Sequence, residues 1–360
     1  MSSYRRASVV KVRSWGPGIQ EAMLEFPDGS QGPALVLEDI IGPVETGDEL
    51  IANTTAVELG LGSGGYHFVV WNLSRDNIVH ESAGHIMKLR YTPLQFNVMS
   101  VEEQMSPGHD EFVDVAGALE GVPVVAGSLH SQLLPVAVSF RHVKPDGRLV
   151  YVMTDGGSLP IKLSHTVRFL KENGYLEATI TCGQAFGGDY EAVNIYGAMV
   201  AARRVCGADA VVALMGPGIV GTGTAIGFSG MEQGVVLNAA GSLSGTPIAV
   251  PRITFADRRG RHNGLSHHTI SALLYGACVE ALVALPLMQG NKRDLVWDQL
   301  KKAGIDTGHS IQEIDAEDAL RLIKECGYDA TVMGRSVDEE PEFFMAAAAA
   351  GILAASMSGG

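Results

Sequence analysis

Apolar and polar positions follow two different rhythms along this 360-residue chain. Up to about residue 110 the apolar runs are short and β-prone: residues 9–12, 20–26, 34–37, 49–53 and 66–73, separated by turns such as Pro27-Asp28-Gly29-Ser30. Five such segments with little helical period predict a small N-terminal barrel or sandwich over residues 1–110. The glycine-dense run Leu59-Gly60-Leu61-Gly62-Ser63-Gly64-Gly65 reads as a corner of that unit, because no helical pattern follows it. Lys88 and Arg90, two residues apart, read as solvated charges on one strand face.

The polar segment Ser106-Pro107-Gly108-His109-Asp110 marks the predicted boundary. Beyond it, residues 122–126, 149–153, 177–181, 210–215 and 247–255 are near-continuous apolar runs, with 329–333 a weaker sixth. A sheet covered on both faces requires strands of that kind. Helical patterns lie between them. Ser266 caps one that carries Ile270, Leu273, Leu274, Ala277, Ala281 and Leu282; Asp189 is read as the cap of another, and Asp315 precedes a third that stops at Gly327. Strands alternating with helices predict a doubly wound, mostly parallel α/β sheet over residues 111–360.

Composition narrows the functional classes. The 44 glycines are about 12% of the chain against an average of about 7%, and they gather beside the strand runs, as tight strand-to-helix turns require. A net charge of −14 repels phosphate backbones and anionic lipid, so neither nucleic acid nor a membrane is an expected partner. Cys182, Cys206, Cys278 and Cys326 form no CxxC pair, which argues against a disulfide framework or thiolate zinc site. The basic start Tyr4-Arg5-Arg6 is followed by no apolar signal core, and the alanine-rich run 343–357 is too short to span a bilayer. A cytoplasmic protein is expected, with residues 343–357 as a buried or subunit-interface helix of a homo-oligomer.

The unusual polar segments follow the large-domain strands. They are the run from Gly127 through His130 to Gln132, the turn Thr154-Asp155-Gly156-Gly157-Ser158, the stretch 184–191 containing Asp189, and Gly216-Pro217-Gly218-Ile219-Val220-Gly221-Thr222-Gly223-Thr224. The fifth runs from Arg252 through Asp257, Arg258, Arg259, Arg261 and His262 to His267 and His268. In a parallel sheet all strand C-termini share one edge, so these segments should converge on one crevice. The Gly216-x-Gly218-x-x-Gly221 spacing can cradle an anion on backbone N–H groups. No acidic residue lies at dinucleotide spacing after it, which disfavours NAD(P). Residues 252–262 carry four arginines and one aspartate, a local +3 suited to carboxylate or phosphate. Three of the 11 histidines follow closely, and the start of a helix keeps imidazoles there neutral. Adjacent helical residues point about 100° apart, so His267 and His268 are not expected to face one ligand. No HxH, HxxxH or HExxH spacing is present; a divalent cation, shared with His130, Asp155 and Asp189, stays an open alternative.

Several runs resemble a bacterial family known only as domain of unknown function 3866: Ile51-Ala52-Asn53-Thr54-Thr55-Ala56, the stretches 84–95, 183–194 and 215–224, and residues 255–269 with Ser266-His267-His268-Thr269. The resemblance spans nearly the whole chain and carries no catalytic residue with it. The residues themselves favour an enzyme acting on a small phosphate- or carboxylate-bearing metabolite by histidine-assisted hydrolysis or group transfer. Arg252, Arg258, Arg259 and Arg261 with the loop 216–224 would bind the anion; His262, His267 or His268 would move the proton, oriented by Asp257 or Asp189. A non-catalytic binding or regulatory protein using the same site is the first rival, and a nucleotide-cofactor oxidoreductase the second.

Overall fold

The computed structural model describes residues 2–79, 82–157 and 159–359; Ser158, in the turn read after the second large-domain strand, lies outside the described residues. The chain divides into two compact units, 1–98 and 99–360.

In the first unit β1 (Tyr4–Gly16), β2 (Ile19–Glu25), β3 (Gln31–Leu37), β4 (Glu49–Asn53) and β5 (His67–Asn72) form a closed barrel in the order β1-β2-β3-β5-β4. Period-two alternation turns Val9, Leu24, Val36, Leu50 and Val69 into its interior, and closure leaves no free sheet edge. The Pro27–Ser30 turn works as its residues suggest: Gly29 takes φ +82°, and Asp28 Oδ1 accepts the Ser30 N–H at 3.0 Å. The helical pieces Glu38–Ile41 and Thr55–Glu58 are about one turn each. A hairpin of β6 (Ile86–Lys88) and β7 (Phe96–Val98) stands apart from the barrel sheet. Lys88 is buried in β6 while Arg90 is exposed in the turn after it, so the two do not share a solvated face; Leu89 and Tyr91 at positive φ break the period.

The second unit is built on β8 (Pro123–Ala126), β9 (Leu149–Thr154), β10 (Ala178–Cys182), β11 (Tyr190–Ala192), β12 (Ala210–Met215) and β13 (Thr246–Ala249). Outside its main sheet a short hairpin follows, β14 (Ile253–Thr254) with β15 (Gly264–Leu265). Then β16 (Leu282–Pro286) and β17 (Ser310–Ile314) complete an eight-stranded parallel sheet in the order β11-β10-β9-β12-β8-β13-β16-β17. Both faces are covered. Val124, Val150, Val152 and Val211 pack with the helix Glu232–Ser242 on one side. Val125, Tyr151, Met153 and Val212 pack on the other with the helices Leu133–Val143 and Pro341–Met357. A barrel followed by a parallel α/β sheet is the architecture the patterning predicts.

Four details differ from the sequence reading. The fifth run leaves the sheet at Ala249, because Pro251 has no N–H to continue a ladder. Residues 329–333 supply only β18 (Thr331–Val332), paired with β19 (Arg335–Ser336) outside the main sheet. The helix capped by Ser266 ends in a π-turn at Ala272–Gly276, and Leu282 begins the buried strand β16. Asn194, not Asp189, caps the helix Ile195–Val200, accepting the N–H groups of Tyr196 and Gly197. The alanine-rich helix Pro341–Met357 is buried within its own unit: a Cβ on Gly351 would lie 2.3 Å from the Val136 carbonyl oxygen, so small residues let two helices touch by backbone. Among the described residues no helix is long and apolar enough to cross a membrane.

Strand order fixes where the crevice opens. β8 leads by the helix Leu133–Val143 toward β9, whereas β12 leads by Glu232–Ser242 toward β13, on the opposite side. β12 and β8 are neighbours whose connections diverge, which is the topological switch point of an open α/β sheet.

Candidate functional site

A cavity of ≈350 Å³ opens there, lined by Leu129, His130 and Ser131 after β8, by Gly216, Gly218, Ile219, Val220, Gly221 and Gly223 after β12, and by Arg252, Arg259, Arg261, His262 and His268 after β13. Val332 and Met333 of the β18–β19 turn close it.

The third wall is assembled by the β14–β15 hairpin. Ile253 pairs with Leu265 and Thr254 with Gly264, and the Ser266 N–H donates to the Arg252 carbonyl at 2.9 Å, so both ends of the loop meet. Gln299 braces it from the next helix: its Oε1 accepts the Leu265 N–H at 2.7 Å and its Nε2 donates to the Asn263 carbonyl at 2.9 Å. Gly264, at φ +76°, leaves room for that brace, since a Cβ would meet Gln299 Oε1 at 2.4 Å.

His262, His267 and His268 gather at this junction, with one candidate ligand atom from each lying within 4.8 Å of the others. Ring centroids are 4.8 Å apart for His262–His267, 4.9 Å for His262–His268 and 4.3 Å for His267–His268. The expectation that His267 and His268 diverge is therefore wrong. The 100° step fixes the Cα–Cβ directions, and rotation about χ1 still brings two rings together at the first helical turn. Ser266 Oγ lies 2.7 Å from His262 Nδ1 and accepts the His268 N–H at 3.2 Å. Phe228 stacks on His268 at 3.9 Å with planes 8° apart. Both ring nitrogens of His267 are buried, no side chain bonds them, and only the Arg261 backbone comes near. Burial, reinforced by repulsion from Arg252, pushes His262 down to about 3. Burial and then His267 and Arg252 push His268 down to about 3, and burial lowers His267. All three are neutral imidazoles at neutral pH. Bases as weak as His262 and His268 are poor proton acceptors, because general-base efficiency follows basicity; their lone pairs remain good ligands.

The arginines divide. The Arg252 side chain is buried, 3.5 Å from Asp257 Oδ2 and 3.4 Å from His268 Nδ1, and burial lowers it to about 10, so it stays charged. Arg259 grips Asp257 with two donors, at 2.9 and 2.6 Å, and that grip holds the carboxylate well below its usual range. Arg261 lines the cavity. Arg258, expected to bind the anion, is exposed and absent from the cavity wall, because the Asp257–Arg259 pair closes a turn with Arg258 at its apex. Asp257 neutralises arginines and is not placed to orient a histidine.

The glycine loop is a bare wall of the cavity. Gly218 takes φ +110° and Gly223 φ +78°. Thr222 and Thr224 bond each other at 3.0 Å and fasten the loop to Gly227; neither lines the cavity. The next long helix starts at Glu232, so no helix N-terminus adds charge at the glycines.

His130 reaches the cavity, but its Nε2 meets Ser164 Oγ at 2.7 Å and its Nδ1 meets the Tyr151 hydroxyl at 3.4 Å, with burial lowering it to about 4. Asp155 lines a separate crevice of ≈220 Å³ with Thr154, Cys182, Gly183 and Glu232. Burial raises the Glu232 carboxyl there. Asp189 leaves the site altogether: its Oδ2 accepts from Thr179 N at 2.8 Å and Lys171 Nζ at 2.7 Å, which fastens it to the start of β10. The loop after β10 doubles back, since Gly188 packs against Thr181 and Thr179. The sequence reading missed Ser266 as the orienting hydroxyl, Phe228 as the stacking ring, and Glu340, a buried carboxylate bonded to Thr254 at 2.7 Å and Arg335 at 2.7 Å. Ser266 was legible only as a cap; the others come from distant sequence.

No curated protein and no solved structure matches this chain. A family model described as protein of unknown function (DUF3866) matches residues 33–351, and the chain belongs to that family.

Proposed function

We propose that this protein is an enzyme acting on a small anionic metabolite, bearing phosphate or carboxylate, by histidine-assisted hydrolysis or group transfer. One observation carries the reading: Arg252, Arg259 and Arg261 and the neutral imidazoles His262 and His268 line one cavity opposite a glycine-rich wall, at the sheet's switch point. Guanidinium groups recognise oxyanions through paired N–H donors, and the Cβ-free wall lets a substituent approach backbone. The imidazoles then act as lone-pair donors rather than as the proton acceptors expected from sequence. The net charge of −14 supports a diffusible metabolite as partner rather than nucleic acid or a lipid surface.

The test is a panel of phosphate esters, carboxylates and inorganic phosphate, screened in parallel by thermal shift and for turnover. Stabilisation by anions together with turnover of at least one panel member is expected. Binding without turnover across the panel would favour the non-catalytic binder, and no stabilisation by any anion would refute the anion site.

A further inference from the structure

We propose that His262, His267 and His268 form a three-imidazole site for a divalent transition-metal ion, exposed to the cavity. The proposal deepens the enzyme reading above by assigning the histidine cluster its chemistry.

The donor set comes first. The ligand atoms lie within 4.8 Å of one another. A tetrahedral ion with metal–nitrogen bonds of 2.0–2.1 Å needs donors about 3.3 Å apart, so modest ring rotations close the site. Three imidazoles without thiolate or carboxylate suit zinc, cobalt or nickel and fit neither magnesium nor calcium, which need oxygen ligands.

Two further features point to a ligand. Both His267 ring nitrogens are buried and only the Arg261 backbone approaches the ring, so at least one nitrogen is unpartnered, although buried polar atoms in native proteins nearly always find partners. A bound ion would supply one. The other two rings are already oriented: Ser266 Oγ engages His262 Nδ1, which leaves Nε2 as its available donor, and Phe228 fixes the plane of His268. Such outer contacts are what set tautomer and direction in metal-binding histidines.

Three protein donors leave a coordination position open, and His262 and His268 both face the cavity. An ion there can polarise an oxygen of the anion or activate a water. Arginine charge opposes a cation, and Asp257 and Glu340 offset it only in part. Coordination through His268 Nε2 requires its Nδ1 to carry the proton, which gives up the 3.4 Å contact from Arg252 and frees that guanidinium for the anion. Metal and anion should therefore strengthen each other's binding.

The experiment uses the full chain purified without a polyhistidine tag. Metal content is measured as isolated; the protein is then stripped with chelator and titrated with Co(II), read by its visible ligand-field bands and by zinc competition. About one equivalent of metal and tetrahedral bands are expected, with at least a hundred-fold weaker Co(II) binding in His267→Ala. That variant removes no side-chain hydrogen bond, and a cooperative melting transition of the metal-free variant confirms that it folds. Absence of both retained metal and Co(II) bands in folded wild type overturns the proposal, as does wild-type Co(II) affinity in His267→Ala. Inorganic phosphate is titrated on stripped and loaded protein: a stabilising shift with no metal binding sinks the metal site alone, and metal binding with no phosphate shift sinks the anion reading alone.

Discussion

Asp257→Asn is the sharpest probe of how the cavity holds its charge. The carboxylate is 5% exposed and lies 2.6 Å from Arg259 and 3.5 Å from Arg252, whose own side chain is 4% exposed. The substitution keeps shape and removes charge, leaving Arg252 buried beside a second guanidinium. Breaking a buried pair by removing one partner costs about 3–5 kcal/mol. The low end, about 3 kcal/mol, applies here, because Arg259 is 43% exposed and water can take over its share. At about 2–4 °C per kcal/mol for a unit of this size, melting should fall by about 6–12 °C. Anions should then compete better for the arginines, since asparagine no longer does. Both proteins gain stability from phosphate, so at saturation the gap should narrow by the difference in affinity, about 1.4 kcal/mol for ten-fold tighter binding by the variant. Scanning calorimetry of both proteins across a phosphate titration tests this. A variant that melts within a degree of wild type refutes the view that Asp257 neutralises a buried arginine. A gap that does not narrow with phosphate refutes the arginines as anion binders.

Arg261→Ala should weaken phosphate binding about ten-fold or more, given about 1.5–3 kcal/mol for a charge-assisted contact, whereas Arg258→Ala should leave it unchanged; calorimetric titration decides. Gly351→Ala should destabilise the second unit by about 1–3 kcal/mol in urea unfolding, because the new Cβ meets backbone at Val136 and two helices must part. For metal-free protein, His262 and His268 have folded values near 3 against about 6.5 unfolded. The unfolded chain therefore binds protons first, and their stability contribution, full above pH 6.5, is lost as pH falls toward 3. The slope approaches about 1.4 kcal/mol per pH unit for each. His268→Gln should flatten that decline, and an unchanged profile would show that the ring is not held neutral by burial.

What the sequence determined by itself was the scaffold. Barrel strands show period two, and covered strands show as apolar runs, because both patterns record burial residue by residue. Parallel strand ends share an edge by geometry, so Gly218, Arg252 and His262 are expected at one edge, and they line one cavity; which of the five segments reach it is decided by strand order, which leaves Asp155 and Asp189 outside. Tertiary structure decided the rest. Leu282 belongs to a strand because β13 and β17 flank it, although its spacing from Ser266 also fits a helix. Asp189 is fastened to Thr179 and Lys171, partners that no local pattern announces. The histidine cluster is the clearest case, since spacing rules for metal ligands assume one helix or one strand. His262 comes from a turn, and His267 and His268 from a helix start. Only the hairpin, closed between Arg252 and Ser266 and braced by Gln299, sets their distances. Side-chain direction in a loop is fixed by hydrogen bonds to residues far away in sequence, and those exist only once the chain has folded.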